Sequence, residues 1–211
     1  MVKLTVYGNP QATCTQRVLI LLEELELKYK FENIDFNNQE QKSPDYLKLQ
    51  PFGKVPVVQY GDKAIFESRA ILRYIAKNNR EEEFDYFGDV FTDMWLEVES
   101  QNFNPHASEI VYQKKWAEES NQQKIDEAIA KLEPVLDIYN SRLEDKNYIS
   151  GNSFTIADIS HIPYAYQLLK CGYKDLVKSR PNVYSWLKRI IKRPAVKRVL
   201  EGKYFQDDQS E

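Results

Sequence analysis

Val55-Pro56-Val57-Val58-Gln59-Tyr60-Gly61-Asp62-Lys63-Ala64-Ile65-Phe66-Glu67-Ser68 is the stretch on which the fold turns. Two short apolar runs flank Gly61-Asp62, a dipeptide suited to tight reverse turns, so the segment predicts a β-hairpin. Ser68 then opens a helix, with Ile71, Leu72 and Ile75 recurring at helical spacing. Pro56 removes a ladder donor as it enters the strand, which suits an edge, a tight turn or a cis bond. If the backbone N–H and C=O of Val55 are then left unpaired, an extended peptide-like ligand can use them as an added strand. A simple loop proline is the competing reading.

Upstream, Lys3 to Tyr7 is β-branched and aromatic and ends at Gly8-Asn9-Pro10, a strand and its turn. Val18, Leu21, Leu22 and Leu25 follow at helical spacing, and Tyr29, Phe31 and Ile34 alternate as a second strand. Ser43-Pro44 places a cap before a first-turn proline and opens a helix through Leu49. The order βαβαββα, over residues 1–80, is that of an α/β domain. Arg80-Glu81-Glu82-Glu83 predicts a solvated linker over 81–88. Residues 89–211 read as all-helical, with one stripe through Ile125, Ala128, Leu132, Leu136 and Tyr139 and another through Val183, Trp186, Leu187 and Ile190. Thr155 and Asp158 have the spacing of a capping box, and Pro134 and Pro163 fall inside helical patterns, where they predict kinks.

A chain of 211 residues with 29 basic and 32 acidic side chains has the length for one large domain or two small ones and lacks the basic excess of a non-specific nucleic-acid binder. Cys14 and Cys171, its two cysteines, are too few and too far apart for a disulfide framework or a metal cage, which favours a reducing, cytoplasmic setting. The opening strand is too short and too polar for a signal-peptide core, and the longest apolar run, Val18 to Leu22, is far below a membrane span.

Three further segments have chemical potential. At Pro10 to Val18 a strand yields to a helix, where free amides favour an anion and Thr13 and Thr15 offer hydroxyls; a threonine acting only as a cap is the plainer alternative. Gln41-Lys42 suits a carboxylate or is solvated surface. Glu67-Ser68 combines an ammonium partner with a cap that doubles as an anion site. With Val55, these fit a small, extended, zwitterionic, peptide-like ligand.

In this order and at these intervals the segments resemble the thioredoxin-like domain of a cytosolic glutathione S-transferase, closest to the phi class of plants and its fungal relatives. The carrying stretches are Gly8-Asn9-Pro10 through Thr15-Gln16-Arg17-Val18, Gln41-Lys42-Ser43-Pro44, Pro51-Phe52-Gly53-Lys54-Val55-Pro56 and Phe66-Glu67-Ser68-Arg69-Ala70-Ile71. Trp95-Leu96-Glu97-Val98-Glu99, Phe154-Thr155-Ile156-Ala157-Asp158 and Arg193-Pro194-Ala195-Val196 extend it over nearly the whole chain. The resemblance implies glutathione as co-substrate, with no permanently bound cofactor and no metal. Lys42 with Gln41 would take the glycine carboxylate, Val55 ahead of a cis Pro56 would pair with the cysteinyl unit, and Glu67 and Ser68 would hold the γ-glutamyl head. Lys54 stands where a glutamine is common. Ala12 occupies the phi-class serine position, so Thr13 is the expected hydroxyl donor to the thiolate, with Tyr7 and Cys14 as alternatives. Phe36, Tyr112 and Trp116 would line a pocket for an apolar electrophile between the domains. A homodimer is implied, with no nucleic-acid or membrane partner. The expected activity is conjugation or glutathione-dependent peroxide reduction; a non-catalytic ligandin and a Cys14-based thiol transferase are the rivals.

Overall fold

The computed structural model describes residues 4–79 and 86–203. Contacts divide the chain into two compact units, Met1–Asn79 with Pro194–Glu211, and Arg80–Arg193.

The first unit holds a four-stranded mixed sheet in the order β2-β1-β3-β4, with β1 at Leu4–Gly8, β2 at Lys30–Asn33, β3 at Val57–Tyr60 and β4 at Lys63–Phe66. β1 runs parallel to β2 and antiparallel to β3, and Val6 sits opposite both Phe31 and Val58. The β3–β4 hairpin forms as expected; Tyr60 pairs with Lys63 and Gly61 turns at φ 63°, a conformation that costs glycine little. Helices α1 (Thr13–Glu24), α2 (Pro44–Leu49) and α3 (Ser68–Asn78) complete the βαβαββα order. Ser43 caps α2 by accepting from the Tyr46 N–H at 3.2 Å, with Pro44 in the first turn. Ile71, Leu72 and Ile75 of α3 are fully buried, contributing ~1.5–3 kcal/mol each.

Two domain boundaries differ from the sequence reading. Helix α10 (Pro194–Leu200) packs on α1 in the first unit, with Arg198 Nε donating to Glu23 Oε2 at 2.9 Å, whereas the sequence groups it with residues 89–211. Pro194 ends the preceding helical run and frees Ala195, Val196 and Val199 to bury their own face. Of the expected linker 81–88, residues 81–85 lie outside the described residues, and 86–88 are not solvated chain. Tyr86 is buried and its carbonyl accepts from the Ile156 N–H at 2.9 Å.

The second unit contains α4 (Val90–Val98), a π-helical turn at Glu99–Phe103, α5 (Asn104–Lys115), α6 (Gln122–Arg142), α7 (Ile156–Lys170), α8 (Lys174–Lys178) and α9 (Pro181–Ile191). Pro134 and Pro163 lie inside the continuous helices α6 and α7. The core stacks Phe103 on Tyr139, with His161 and Trp186 edge-on to the Tyr139 ring. His161 Nδ1 lies 2.7 Å from the Ala157 carbonyl, which can only accept, so Nδ1 carries the proton and Nε2 accepts from the Tyr139 hydroxyl at 2.9 Å. The expected capping box opens α7. Thr155 and Asp158 bond reciprocally, and the fully buried Asp158 also accepts from the Ile149 N–H and from Trp186 Nε1.

Candidate functional site: a peptide-binding edge beside the first helix

The segment from Gln50 to Pro56 is held by side chains on both flanks. The amide oxygen of Gln50, 2% exposed, accepts from the N–H of Phe52 at 2.7 Å and of Lys54 at 3.2 Å. The Tyr46 hydroxyl donates to the Lys54 carbonyl at 2.8 Å. Burial raises the pKa of that hydroxyl far above its ordinary value, beyond any working pH, so it remains a donor. The Val55–Pro56 peptide is cis, with Pro56 buried and Val55 half-exposed. Among the described residues neither the N–H nor the C=O of Val55 is paired. Lys54 contributes its backbone to the loop while its side chain is exposed.

Lys42 and Gln41 close on the same loop from a single 3₁₀ turn at Glu40–Lys42. Lys42 Nζ donates to the Phe52 carbonyl at 3.0 Å. Gly53 makes the approach possible. Its φ is +60°, and a Cβ there would sit 2.6 Å from the Gln41 carbonyl oxygen and 2.7 Å from Lys42 Nζ. The Gln41 side-chain oxygen is buried without a hydrogen-bond partner, a demand that a ligand donor would answer.

Ser68 is not the cap of α3. It is the first helical residue and 5% exposed, while Glu67 occupies the cap position at φ 66°, ψ 106° without a side-chain cap bond. A β-carbon at positive φ is costly, and such strain gathers where a backbone presents groups to a ligand. Glu67 is consequently exposed at the mouth of a helix N-terminus.

The start of α1 is also uncapped by a side chain. Ala12 holds the cap position at φ −73°, ψ 123°, so neither Thr13 nor Thr15 serves as the expected cap. The first-turn amides therefore have no side-chain acceptor. Thr13 is 5% exposed, and its hydroxyl bonds to no other described residue. Thr15 is fully buried against Gly8, where a Cβ would stand 2.6 Å from its methyl. Asn9, which the sequence marks only as a turn residue, ties the junction together by accepting from the Gln11 N–H and donating to the Ile34 carbonyl. The Tyr7 hydroxyl donates to Gln59 Oε1 at 3.3 Å, and its ring packs against the cluster of Ile34, Tyr46 and Val57. Cys14 is half-buried and accepts from Arg17 Nη1 at 3.2 Å.

Phe36, Tyr112 and Trp116 are 42%, 51% and 46% exposed, so none of the three is a core aromatic in its own unit. Tyr112 lies on α5 and Trp116 directly follows it.

Comparison with known proteins decides the lineage. The glutathione S-transferase N-terminal domain model matches residues 2–77, and the C-terminal domain model matches residues 103–194. The chain is 37% identical over 210 residues to the probable glutathione S-transferase GSTF1 of Oryza sativa subsp. japonica, covering 94% of this chain and 96% of that protein. The chain belongs to the glutathione S-transferase family. Its relatives are plant phi-class enzymes, which bears out the resemblance read from the motifs. Glutathione transferase F7 of Populus trichocarpa superposes with a TM-score of 0.90 at 37% identity, over 95% of this chain and 99% of that one. Glutathione S-transferase I from maize, in complex with an atrazine glutathione conjugate, matches with a TM-score of 0.87 at 30% identity, over 97% and 100%. No helix of the described residues is long and apolar enough to cross a membrane.

Proposed function

We propose that this glutathione transferase clamps glutathione along the Val55–Pro56 edge and passes its sulfur to small apolar electrophiles, with Thr13 as the hydroxyl that stabilises the thiolate. The observation that carries this reading is the unpaired Val55 backbone ahead of Pro56, approached by Lys42 on one flank. An antiparallel pair with Val55 suits the cysteinyl unit. The ammonium of Lys42 and the unsatisfied oxygen of Gln41 suit the glycine end, the first with a charge for its carboxylate and the second with an acceptor for its amide N–H. Glu67 and the Ser68 amide offer the γ-glutamyl head one negative and one positive partner.

A free thiol has a pKa of ~8.5, so only a few per cent is thiolate at neutral pH. Lowering that pKa to ~6.5 requires ~2.7 kcal/mol of preference for the anion. One hydroxyl donating to a charged acceptor supplies ~1.5–3 kcal/mol. The first-turn amides of α1, uncapped because Ala12 carries no oxygen, add ~0.3–1 kcal/mol. The sum reaches the required range without a covalent protein intermediate. The thiol proton passes to solvent, the thiolate attacks the electrophilic carbon, and the leaving group departs as the C–S bond forms. Attack on a hydroperoxide oxygen is the peroxidase variant of the same chemistry. Phe36, Tyr112 and Trp116 are proposed as apolar contacts for the electrophile, since each is a large aromatic left substantially exposed.

Thr13 is favoured over Tyr7 and Cys14 because the Tyr7 hydroxyl is committed to Gln59 and the Cys14 sulfur to Arg17. Conjugation of a chlorinated nitrobenzene separates the three. Thr13→Ala should lose ~10–100-fold in kcat/KM, the equivalent of ~1.4–2.7 kcal/mol, and Tyr7→Phe and Cys14→Ser should change little. Loss confined to Cys14→Ser would replace the assignment, and an inactive wild type that still binds glutathione would make the protein a ligandin. A cytoplasmic homodimer is also proposed. It is supported by exposed apolar groups on each unit, Phe52 at 64% and Val90 and Phe91 at 74% and 52%. Sedimentation at micromolar concentration tests it.

A further inference from the structure

Gln16, the fourth residue of α1, has no part in the chemistry above, and its side chain is costly where it stands. It is 7% exposed yet carries an amide. Nε2 donates to the Pro10 carbonyl at 3.1 Å, and because that oxygen can only accept, the amide oxygen faces the other way. There Oε1 is buried with no partner among the described residues. A buried acceptor without a donor is unfavourable, and an apolar side chain of the same length would avoid it. What glutamine gains in return is the bond to Pro10.

That bond spans the turn that delivers Thr13. A helix N-terminus is ordinarily fastened to the chain before it by a cap side chain, and Ala12 has none to offer. Gln16 supplies a tie from inside the helix. Its backbone N–H donates to the Ala12 carbonyl at 3.0 Å and its side chain to the Pro10 carbonyl, so one residue grips both ends of the turn. From the strand side, the Asn9 side chain accepts from the Gln11 N–H and the Asn9 carbonyl from the Ala12 N–H, both at 3.0 Å. Thr13 leaves a turn clamped on two sides. Threonine is stiff at χ1, so the direction of its hydroxyl follows the backbone beneath it. Reacting geometry tolerates little error, and a misplacement of about 1 Å from a change outside the chemistry can cost on the order of 100-fold in rate.

On the reading of Thr13 as the thiolate's donor, we propose that Gln16 is a positioning residue: its amide ties the Pro10 carbonyl to the head of α1 in place of the missing cap, and so aims the Thr13 hydroxyl at the glutathione sulfur. Gln16 acts through Thr13 and is not itself a donor to the sulfur.

The test is a cycle of wild type, Gln16→Met, Thr13→Ala and the double variant, each titrated with pH for the absorbance of bound glutathione thiolate. Methionine matches the length of glutamine and removes both amide groups. Gln16→Met should raise the bound-thiol pKa by about one unit from ~6.5, half of the gap to the free thiol, since a misdirected hydroxyl still donates part of the time. In the Thr13→Ala background the same change should add nothing. At pH 6.5 the thiol is then about half ionised in the wild type and about a tenth ionised in Gln16→Met. Turnover should accordingly fall about fivefold at that pH and recover at pH 9, where both are ionised. KM for glutathione should hold, because Lys42, Val55 and Glu67 lie on other segments. The thermal midpoint should hold or rise, since the unsatisfied oxygen is gone, whereas a merely structural role would lower it. Gln16→Asn, whose shorter side chain withdraws the donor from Pro10, should reproduce the pKa shift and serves if Gln16→Met does not fold. An unmoved thiol pKa in the Gln16 variants, or a shift of equal size with and without Thr13, would overturn the inference. If Thr13→Ala raises the pKa and the Gln16 variants do not, the inference alone falls; if Thr13→Ala leaves it unmoved, the thiolate assignment falls and takes the inference with it.

Discussion

Replacing Asp158 should cost more stability than most polar substitutions in this protein, because three N–H groups from three places in the second unit converge on its carboxylate. Oδ1 accepts from the Ile149 N–H at 3.0 Å and from Trp186 Nε1 at 2.8 Å, and Oδ2 accepts from the Thr155 N–H at 3.0 Å. Asp158 is fully buried and Trp186 is 2% exposed, so water does not readily replace the lost acceptor. Each buried donor left unsatisfied costs ~1–3 kcal/mol, giving ~3–9 kcal/mol for Asp158→Ala against a total stability of ~5–15 kcal/mol. Asp158→Asn keeps one oxygen for Ile149 and Trp186 and loses only the Thr155 bond, so it should cost ~1–3 kcal/mol. Urea unfolding at constant m-value reads both. The pH dependence adds a second check. Burial, working against these donors, pushes Asp158 up from its ordinary 3.8 to about 6. A carboxyl whose folded-state pKa is raised holds its proton more tightly when folded, so its contribution is complete below the unfolded value and is lost as pH rises through the folded one. That contribution is ~3 kcal/mol. The gap between wild type and Asp158→Asn should therefore narrow between pH 4 and pH 7, because only the wild type titrates there. Equal urea midpoints for wild type and Asp158→Ala, or a gap that widens with pH, would refute the reasoning.

Gly53→Ala should destabilise the first unit and raise KM for glutathione, since the new Cβ would meet the Gln41 carbonyl oxygen at 2.6 Å at a φ of +60°; thermal unfolding and initial rates measure both. Lys42→Met should raise KM for glutathione ~10-fold with kcat little changed, the pattern of lost uniform binding, which a glutathione titration of rates will detect. Ala12→Ser should stabilise the protein by ~1 kcal/mol through a new cap on α1, whose cap residue already has extended backbone angles; thermal unfolding checks this.

Much of the first unit is legible in the sequence because its signals are local. Gly61-Asp62 carries its turn and Ser43-Pro44 carries its cap in the residues themselves, and both form where expected. Thr155 and Asp158 are readable for the same reason, whereas the convergence of Ile149 and Trp186 on Asp158 is not, since those partners are brought in by tertiary packing. The cap of α3 misleads a sequence reading. Serine is the better cap by propensity, and nothing in Phe66-Glu67-Ser68 announces that Glu67 takes a positive φ. Gln50 carries no visible signal because a glutamine beside Pro51 is no turn marker, although its buried amide organises the loop. The boundary at Pro194 is visible as a break, but which unit α10 joins depends on the Arg198–Glu23 pair and the apolar face around Val196, which are long-range facts. In the candidate site, the resemblance supplies the positions, and the structure supplies the unpaired Val55 backbone and the close approach of Lys42.

The most direct test follows the ultraviolet absorbance of the thiolate as glutathione bound to the wild type and to Thr13→Ala is titrated with pH. The bound thiol should titrate with a pKa of ~6.5 in the wild type and return toward ~8.5 without the Thr13 hydroxyl. A wild-type thiol that ionises as it does in free solution, or a lowered pKa that survives Thr13→Ala unchanged, would contradict the Thr13 assignment.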